Sequence, residues 1–559
     1  MSVQKDSERW IVWALTGSIL LSALFIALLA AVPPVTKDAL VHHLAVPKIY
    51  LRHGGMVELP SMPFSYYPMN LELLYWASLA LGSDILPTYI HFAFALITAW
   101  VLFQYLKTRL SPAYGALGAL LFLSVPVIIK LSITAYIDLG VVCFVTCAIL
   151  FLLKWLETGF RLPFFAASAC FCGLAVGTKY NGLVALFLLT LSVPLLYSRR
   201  AAKARGRSAR ALGWCAGYVL LALLVCSPWL VRNDRWTGNP LYPLYRQWFE
   251  AADAHAEGSD GRSVSRSAVP QRVGQGIFTY RSVIYGESGW EIALLPLRIF
   301  FQGKDGNPRL FDGRLHPFLL VLPFFAFLRS REGSAGERLE KRYLLAFAVL
   351  FFSFALFSRT LRMRYIAPII PPLVILSVFG VRNLLSWIRS LGSSRMQRMA
   401  GMTFGLGMLA AGVYSAGYLV SQYGHVQPFR YLSGELSRDA YITAFRPEYP
   451  VMQYANRETP QNAKVLLAFM GRRGYYLDRD YIPGVARLGT VFRKAGTPEA
   501  AMRVLEKDHI THLLVFLPIL EEWAEDNLDR SGKDRMKRFF RQRTRLLRLN
   551  GGYGLFEVG

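Results

Sequence analysis

Several charged residues sit at the edges of long apolar runs, where they could do chemistry at a membrane surface. Asp38 lies in Thr36-Lys37-Asp38-Ala39-Leu40-Val41-His42-His43-Leu44, just past the first run. A partly buried carboxylate there has its pKa raised toward working pH and can accept a proton from an incoming hydroxyl. His42, one helical turn on, could orient it. The alternative is that Asp38 caps the following helix and that His42 and His43 are solvated. Asp138, in Tyr136-Ile137-Asp138-Leu139-Gly140, opens another apolar run. It is either a helix N-terminal charge or a second carboxylate facing Asp38 across a cleft. Lys179, in Gly177-Thr178-Lys179-Tyr180-Asn181-Gly182, occupies a tight turn. It could bind phosphate as a point charge or simply snorkel.

Arg359, Arg362 and Arg364 crowd one short connection. Guanidinium groups bind phosphate through two parallel hydrogen bonds, so a phosphate is the expected ligand. A neutralising carboxylate or lipid headgroups would serve otherwise. Arg232, Asn233 and Asn239 follow another run, in PWLVRNDRWTGNPLYP (228–243). Turn residues and proline account for a sharp exit there, and Trp229 and Trp236 fit an aromatic belt.

The elements that position these residues follow from composition. The 559 residues carry a formal net charge of +26, yet 54% are hydrophobic and only 18% charged, with mean hydropathy +0.33. Basic nucleic-acid binders are charge-rich, so that class is excluded. The pattern is that of a polytopic membrane protein with Lys and Arg in its loops. All six cysteines lie in apolar runs and read as buried structural thiols.

Eleven spans are expected, at 11–32, 85–106, 114–130, 137–155, 162–178, 182–198, 211–230, 316–328, 343–358, 365–381 and 401–421. The basic loops all follow even-numbered spans, which places them and the N-terminus in the cytoplasm. The opposite side then holds the loop 33–84, the large loop 231–315 and everything beyond 421. Three arginines at 359–364 oppose that orientation rule, so an anion should compensate them. Within 33–84 an amphipathic stretch carries Leu40, Leu44 and Tyr50, with a kink expected at Pro47. WEIALLPLRIFF (290–301) is too short to span and should lie in the interface. Residues 245–285, polar and rich in Gly and Ser, are expected to be mobile.

The chain divides into a transmembrane module, 1–425, and a soluble α/β domain, 426–559. In the latter, KVLLAF (464–469), Tyr475–Leu477, HLLVF (512–516) and YGLFEV (553–558) read as strands, and Thr497-Pro498-Glu499 as a helix start. A basic helix is expected at 531–547. This domain is expected to lie outside the catalytic centre.

DALVHHLAVPKIYLRHGG (38–55), AYIDLG, GTKYNG, PWLVRNDRWTGNPLYP and RMRYIAPIIPPL (362–373) together resemble the polytopic glycosyltransferases of the GT-C fold. The similarity is to the bacterial family 39 group, which is like the dolichyl-phosphate-mannose-protein mannosyltransferases and, more distantly, the lipid A aminoarabinose transferase. It covers about 30–380. It implies inverting transfer of one sugar from a polyprenyl-phosphate carrier to a glycan, lipid or protein acceptor on the outer face of a bacterial inner membrane. It implies Asp38 as base, Asp138 as the acid of the second outer loop, and Lys179, Arg359, Arg362 and Arg364 as phosphate ligands. His42, His43, Tyr180, Arg232, Asn233 and Asn239 would support them. The protein mannosyltransferases carry Asp-Glu in the first loop, whereas Ala39 follows Asp38 here, which leaves the acceptor class open. A lipid monophosphate can be handled by Lys and Arg, so no metal or other cofactor is required, although Asp38 and Asp138 could hold a divalent ion. No nucleic-acid partner is implied. A lipid-linked-sugar flippase and a non-catalytic glycan-binding scaffold are the rival readings.

Overall fold

The computed structural model describes residues 2–200, 206–245, 276–328, 334–356, 361–484, 488–489, 491–492 and 497–559. Long helices dominate. α1 (Ser2–Ala30) leads into a π-helical turn at Ala39–His43, then α2 (Ala45–Arg52), α3 (Asn70–Ala80) and α4 (Leu86–Arg109). α5 (Pro112–Leu123), α6 (Pro126–Ser132), α7 (Asp138–Glu157), α8 (Leu162–Val176), α9 (Gly182–Arg200) and α10 (Arg207–Thr237) follow. The later apolar helices are Phe318–Phe325, Ala335–Leu356, Met363–Arg389 and Ser394–Val426.

Among the described residues, seven helices are long and apolar enough to cross a membrane, or eight if the bent pair α5–α6 is one span. The count of eleven is therefore not confirmed, and the differences have local causes. The expected span 114–130 breaks with a 69° bend. Pro126 forces the preceding Val125 into extended backbone, ψ 123°. Phe318–Phe325 has eight residues, about 12 Å of helix against a hydrocarbon core of ~30 Å. α8 has 15 residues. Ala335–Leu356 is 22 residues long but carries Glu337, Arg338, Glu340, Lys341 and Arg342 near its start. The bundle is organised around α7 and Met363–Arg389, the spans with the largest buried shares, 78% and 89%.

The loop 33–84 is ordered. Pro47 occupies the third position of α2 and introduces no kink, because a proline in the first turn removes no helical hydrogen bond. The break falls earlier, at the π-helical turn, where Leu44 N–H donates to Ala39 O. The interfacial stretch forms two short helices, Gly289–Ala293 and Leu295–Phe301. Of 245–285, residues 246–275 lie outside the described residues. Ile277–Tyr285 is a helix with Ile277 and Arg281 buried, so that part is structured.

The C-terminal domain holds a five-stranded sheet of order β2-β1-β3-β5-β4. β1 (Lys464–Ala468) pairs in parallel with β2 (Asp480–Pro483) and β3 (His512–Phe516), while β5 (Tyr553–Val558) is antiparallel to β3 and β4 (Thr544–Asn550). Thr497 caps the helix Pro498–Lys507 as expected. Tyr475–Leu477 is not a strand but a turn with buried side chains. The basic helix ends at Gln542, and β4 takes up the residues after it.

Strand alternation buries both sheet faces. Val465, Leu467 and Leu514 join the main apolar core, whereas Leu466, Ala468, Leu513 and Val515 join a separate core with Leu505, Leu520 and Phe539. The domain is also fastened to the first loop. Lys48 Nζ donates to Tyr475 O at 2.7 Å and pairs with Asp478 at 2.6 Å. Tyr475 N–H donates to Leu40 O, and the Tyr476 hydroxyl to Pro34 O. The domain thus packs on the segment that carries Asp38.

Candidate active site

Asp38 immediately precedes the π-helical turn, with its side chain partly exposed. Its Oδ2 lies 2.6 Å from Arg364 Nη2. Arg364 comes from the start of Met363–Arg389, and its guanidinium lies over the rings of Tyr136, at 5.1 Å, and Tyr365, at 5.3 Å. Burial pushes the Asp38 carboxyl up, but the charge and hydrogen bond of Arg364, acting together with the neighbouring His42 and His43, outweigh it and hold the group well below the usual carboxylate range. The first loop therefore presents an ionised carboxylate already paired with one of the arginines.

Asp138 is buried at the N-terminus of α7 and accepts from Lys179 Nζ at 2.6 Å. Lys179 also lies over the Tyr365 ring, at 5.0 Å. The two expected carboxylates thus differ in environment. Asp38 is accessible and bound to arginine, whereas Asp138 is inaccessible and bound to lysine. The expectation that Lys179 meets phosphate is qualified by this pair, which engages its ammonium within the protein.

Arg362 and Arg364 each lie beside a carboxylate. Arg362 Nη1 sits 3.6 Å from Asp312 Oδ2. Arg359 lies outside the described residues. Asp312 in turn accepts from Lys130 at 3.0 Å, and Lys130 also pairs with Asp305 at 3.2 Å. The Tyr418 hydroxyl donates to Asp305, and Arg314 lies over the Tyr418 ring. This ring of Lys130, Asp305, Asp312 and Arg314 was missed by sequence reading. Its one sequence signal is a lysine in an otherwise apolar run, but its partners lie about 180 positions on.

His42 is partly buried and His43 fully buried. The His42 ring stacks on Phe64, with centroids 4.6 Å apart. His43 is buried, and its Nδ1 lies 2.8 Å from Glu72 Oε1. Burial depresses both histidines below the ordinary imidazole value, so both are neutral. Glu72 escaped sequence reading because it sits in an apolar stretch of α3 with no motif around it.

The remaining residues form a scaffold behind the site. Buried Asn233 donates from Nδ2 to Tyr66 O at 2.8 Å, to Tyr242 O and to the Tyr180 hydroxyl. Arg232 donates to Tyr67 O and lies between Trp229 and Trp236, at 4.8 and 4.9 Å. Asn239 closes the turn after α10, donating to Leu244 O and accepting from Leu241 N–H. Arg232, Asn233 and Asn239 thus fix the exit from α10 against the first loop. Gly177 is needed at the other side of this joint. A Cβ there would meet Asn70 Nδ2 at 2.5 Å, and Gly177 O accepts from Asn70 N–H.

No group of three or more His, Cys, Asp or Glu side chains that could hold a metal is found among the described residues. Asp38 and Asp138 are each held by a cation instead. Two apolar cavities lie among the helices. One, of about 470 Å³, is lined by Phe300, Leu319, Leu345, Phe352, Ile369 and Leu373. The other, of about 690 Å³, lies between α1, α5 and Ser394–Val426.

Residues 68–231 match the family described as dolichyl-phosphate-mannose-protein mannosyltransferase. The match includes Asp138, Lys179 and Tyr180 and excludes Asp38, Arg232 and Arg364. None of the curated proteins matches the sequence. The structure is similar to the crystal structure of ArnT from Cupriavidus metallidurans bound to undecaprenyl phosphate, at 13% identity and TM-score 0.53, over 98% of this chain and 97% of that chain. The apo state of the same protein gives 12% identity and TM-score 0.53, over 99% and 98%. The chain has the GT-C fold, a multi-pass helical membrane module with a small C-terminal α/β domain.

Proposed function

We propose that this GT-C-fold protein is an integral membrane glycosyltransferase that moves one sugar from a polyprenyl-phosphate carrier to an envelope acceptor, with inversion. The observation that carries the reading is the contact of Asp38 with Arg364 at one end of the bundle. It brings a proton acceptor and a phosphate-binding group into one place, the two functions such a transfer needs. The family match over 68–231 and the likeness to a protein crystallised with undecaprenyl phosphate support it.

The residues divide the work as follows. Asp38 takes the proton of the acceptor hydroxyl as its oxygen attacks the anomeric carbon. The bond from that carbon to the phosphate oxygen breaks, and the phosphate leaves with its electron pair. Arg364, with Arg362 and Arg359 nearby in the chain, stabilises the negative charge that grows on the leaving group. Attack opposite the leaving phosphate gives inversion. Lys179 and Asp138 fix the floor of the site. The apolar cavity containing Ile369 and Leu373, on the same helix as Arg364, suits the polyprenyl tail better than the larger one beside α1. In this proposal the site face and the C-terminal domain lie outside the cytoplasm and the N-terminus inside, a reading that rests on the basic loops alone. No metal is needed in this reading, since guanidinium groups supply the positive charge.

The test is mass spectrometry of envelope glycans, glycolipids and glycoproteins with and without the gene, joined to binding of polyprenyl phosphate by the purified protein. A single missing sugar names donor and acceptor together. Unchanged envelope glycans and no polyprenyl-phosphate binding would reject the proposal.

A further inference from the structure

Glu72 is a buried acid that the transfer chemistry does not use. It lies in the first turn of α3, and that turn is firmly held. A Cβ on Gly140 would meet Leu71 at 2.7 Å, so α7 packs directly against α3 at this point. Asn70 accepts from the Trp229 indole at 2.8 Å and donates to Leu174 O. From this rigid base Glu72 Oε1 reaches His43 Nδ1 at 2.8 Å, with both side chains about 95% buried. His43 is the last residue of the π-helical turn that begins beside Asp38.

A π-turn carries one residue more per turn than an α-helix needs and is held only where the surroundings impose it. Two contacts impose it here. Tyr475 N–H holds Leu40 O from above, and Glu72 holds His43 from below. Without the lower contact the turn can tighten into an α-turn. Asp38 would then rotate away from Arg364.

We propose that Glu72, acting through His43, is a positioning residue for the Asp38 carboxylate. The inference rests on the reading of Asp38 as the base of a sugar transfer. Glu72 itself touches neither donor nor acceptor.

The contact also has a pH signature. Burial pushes the Glu72 carboxyl up to about 8, and burial pushes the His43 imidazole down to about 3. The charged and titratable groups facing Glu72 are His43, Tyr50, Tyr75, Asp138, Lys179 and Arg232. Near neutrality Glu72 is protonated, and its hydroxyl donates to Nδ1 of neutral His43. As pH rises through about 8 the carboxylate forms and His43 must shift its ring proton to Nδ1 to keep the bond. The turn is then held by a different tautomer beside an unneutralised buried charge.

Steady-state kinetics with a polyprenyl-phosphate sugar, on wild type, Glu72→Gln and Glu72→Ala, test this. Wild-type turnover by itself tests the functional reading, and the differences among variants test Glu72. The alanine variant should lose about tenfold to a hundredfold in kcat, the scale of a small misplacement of a catalytic group, with donor KM unchanged within about threefold. Gln keeps a donor for Nδ1, so Glu72→Gln should keep most of the turnover and lose the alkaline limb near pH 8. Infrared spectroscopy should show a protonated carboxyl band at pH 6 that is absent in Glu72→Gln, a readout independent of activity. A Glu72→Ala enzyme with wild-type kcat would overturn the inference. So would a Glu72→Gln enzyme that keeps the alkaline limb, or a wild type without the carboxyl band. If the alanine variant does not fold, the glutamine variant and the infrared band decide.

Discussion

Arg364 Nη2 rests 2.6 Å from Asp38 Oδ2, which joins the first loop to the start of the helix Met363–Arg389 across more than 300 residues of sequence. The pair resolves a conflict in the charge pattern. In the proposed orientation Arg364 lies on the side of the membrane where positive charge is disfavoured and needs an anion, and in this structure a carboxylate lies beside it. It also creates a chemical tension. An aspartate held ionised by a guanidinium is a weak base. A donor phosphate competing for Arg364 would weaken that hold and add a negative charge nearby, and both changes raise the carboxyl pKa. Donor binding would thereby ready Asp38 for the acceptor proton.

Asp38→Asn keeps the side-chain shape and removes the base. Turnover should fall by about 10²–10⁴-fold. Donor affinity should be unchanged or slightly higher, because Arg364 is released to the phosphate. Turnover and polyprenyl-phosphate affinity in nanodiscs check this. A wild-type rate in the asparagine variant would leave Asp38 a structural residue.

Arg364→Ala removes a charge-assisted contact worth about 1.5–3 kcal/mol, so donor affinity should weaken by roughly tenfold or more. The pH profile should move as well. In wild type the folded-state pKa of Asp38 is depressed, so the stability from the pair is present above the ordinary carboxylate pKa and is lost only as pH falls below that range. Without Arg364 the burial effect prevails, and the acid limb of kcat/KM should shift to higher pH. Lysine should restore affinity only in part, because it lacks the two-pronged geometry. An acid limb unmoved in the alanine variant would show that Arg364 does not set the Asp38 charge.

Much of this site was legible because membrane spans put charges in relief. Asp38, Asp138, Lys179, Arg362 and Arg364 stood out at the ends of apolar runs, and the structure collects all five at one end of the bundle. Their partners were hidden. Nothing local ties Lys130 to Asp312, or His43 to Glu72, because each contact closes a long loop. Strands with continuous apolar runs, β1 and β3, were readable. β4 was not, since an edge strand with Arg545 and Arg548 facing outward reads like the end of the basic helix before it. The short helices failed for a different reason. Hydropathy alone does not show where Pro126 bends a span.

Lys179 and Asp138 form a buried pair, so their roles separate by which variant is made. Removing the lysine alone leaves a carboxylate buried without its charge, which costs about 3–5 kcal/mol. Lys179→Met should therefore lower the unfolding temperature in detergent sharply. The double variant Lys179→Met with Asp138→Leu should recover part of that loss, since replacing both partners leaves no orphan charge. Equal melting temperatures for wild type and Lys179→Met would show that the pair does not stabilise the fold.

The last prediction concerns the C-terminal domain, which sequence reading set apart from the catalytic centre. Lys48 on α2 bonds both Tyr475 O and Asp478, and Tyr475 N–H reaches Leu40 within the turn beside Asp38. A change at this latch should therefore reach the base. Lys48→Met keeps the apolar stem but deletes the hydrogen bond, the ion pair and the ammonium's contact over the Tyr475 ring, at 5.0 Å. The ion pair is half-exposed and contributes little by itself, so global stability should change by less than about 1 kcal/mol. Turnover should nevertheless fall several-fold, with donor affinity unchanged, because the upper hold on the turn is loosened. Limited proteolysis should also cut the turn at 470–479 faster than in wild type. Unchanged turnover and proteolysis in Lys48→Met would show that the domain, though packed on the first loop, plays no part in presenting Asp38.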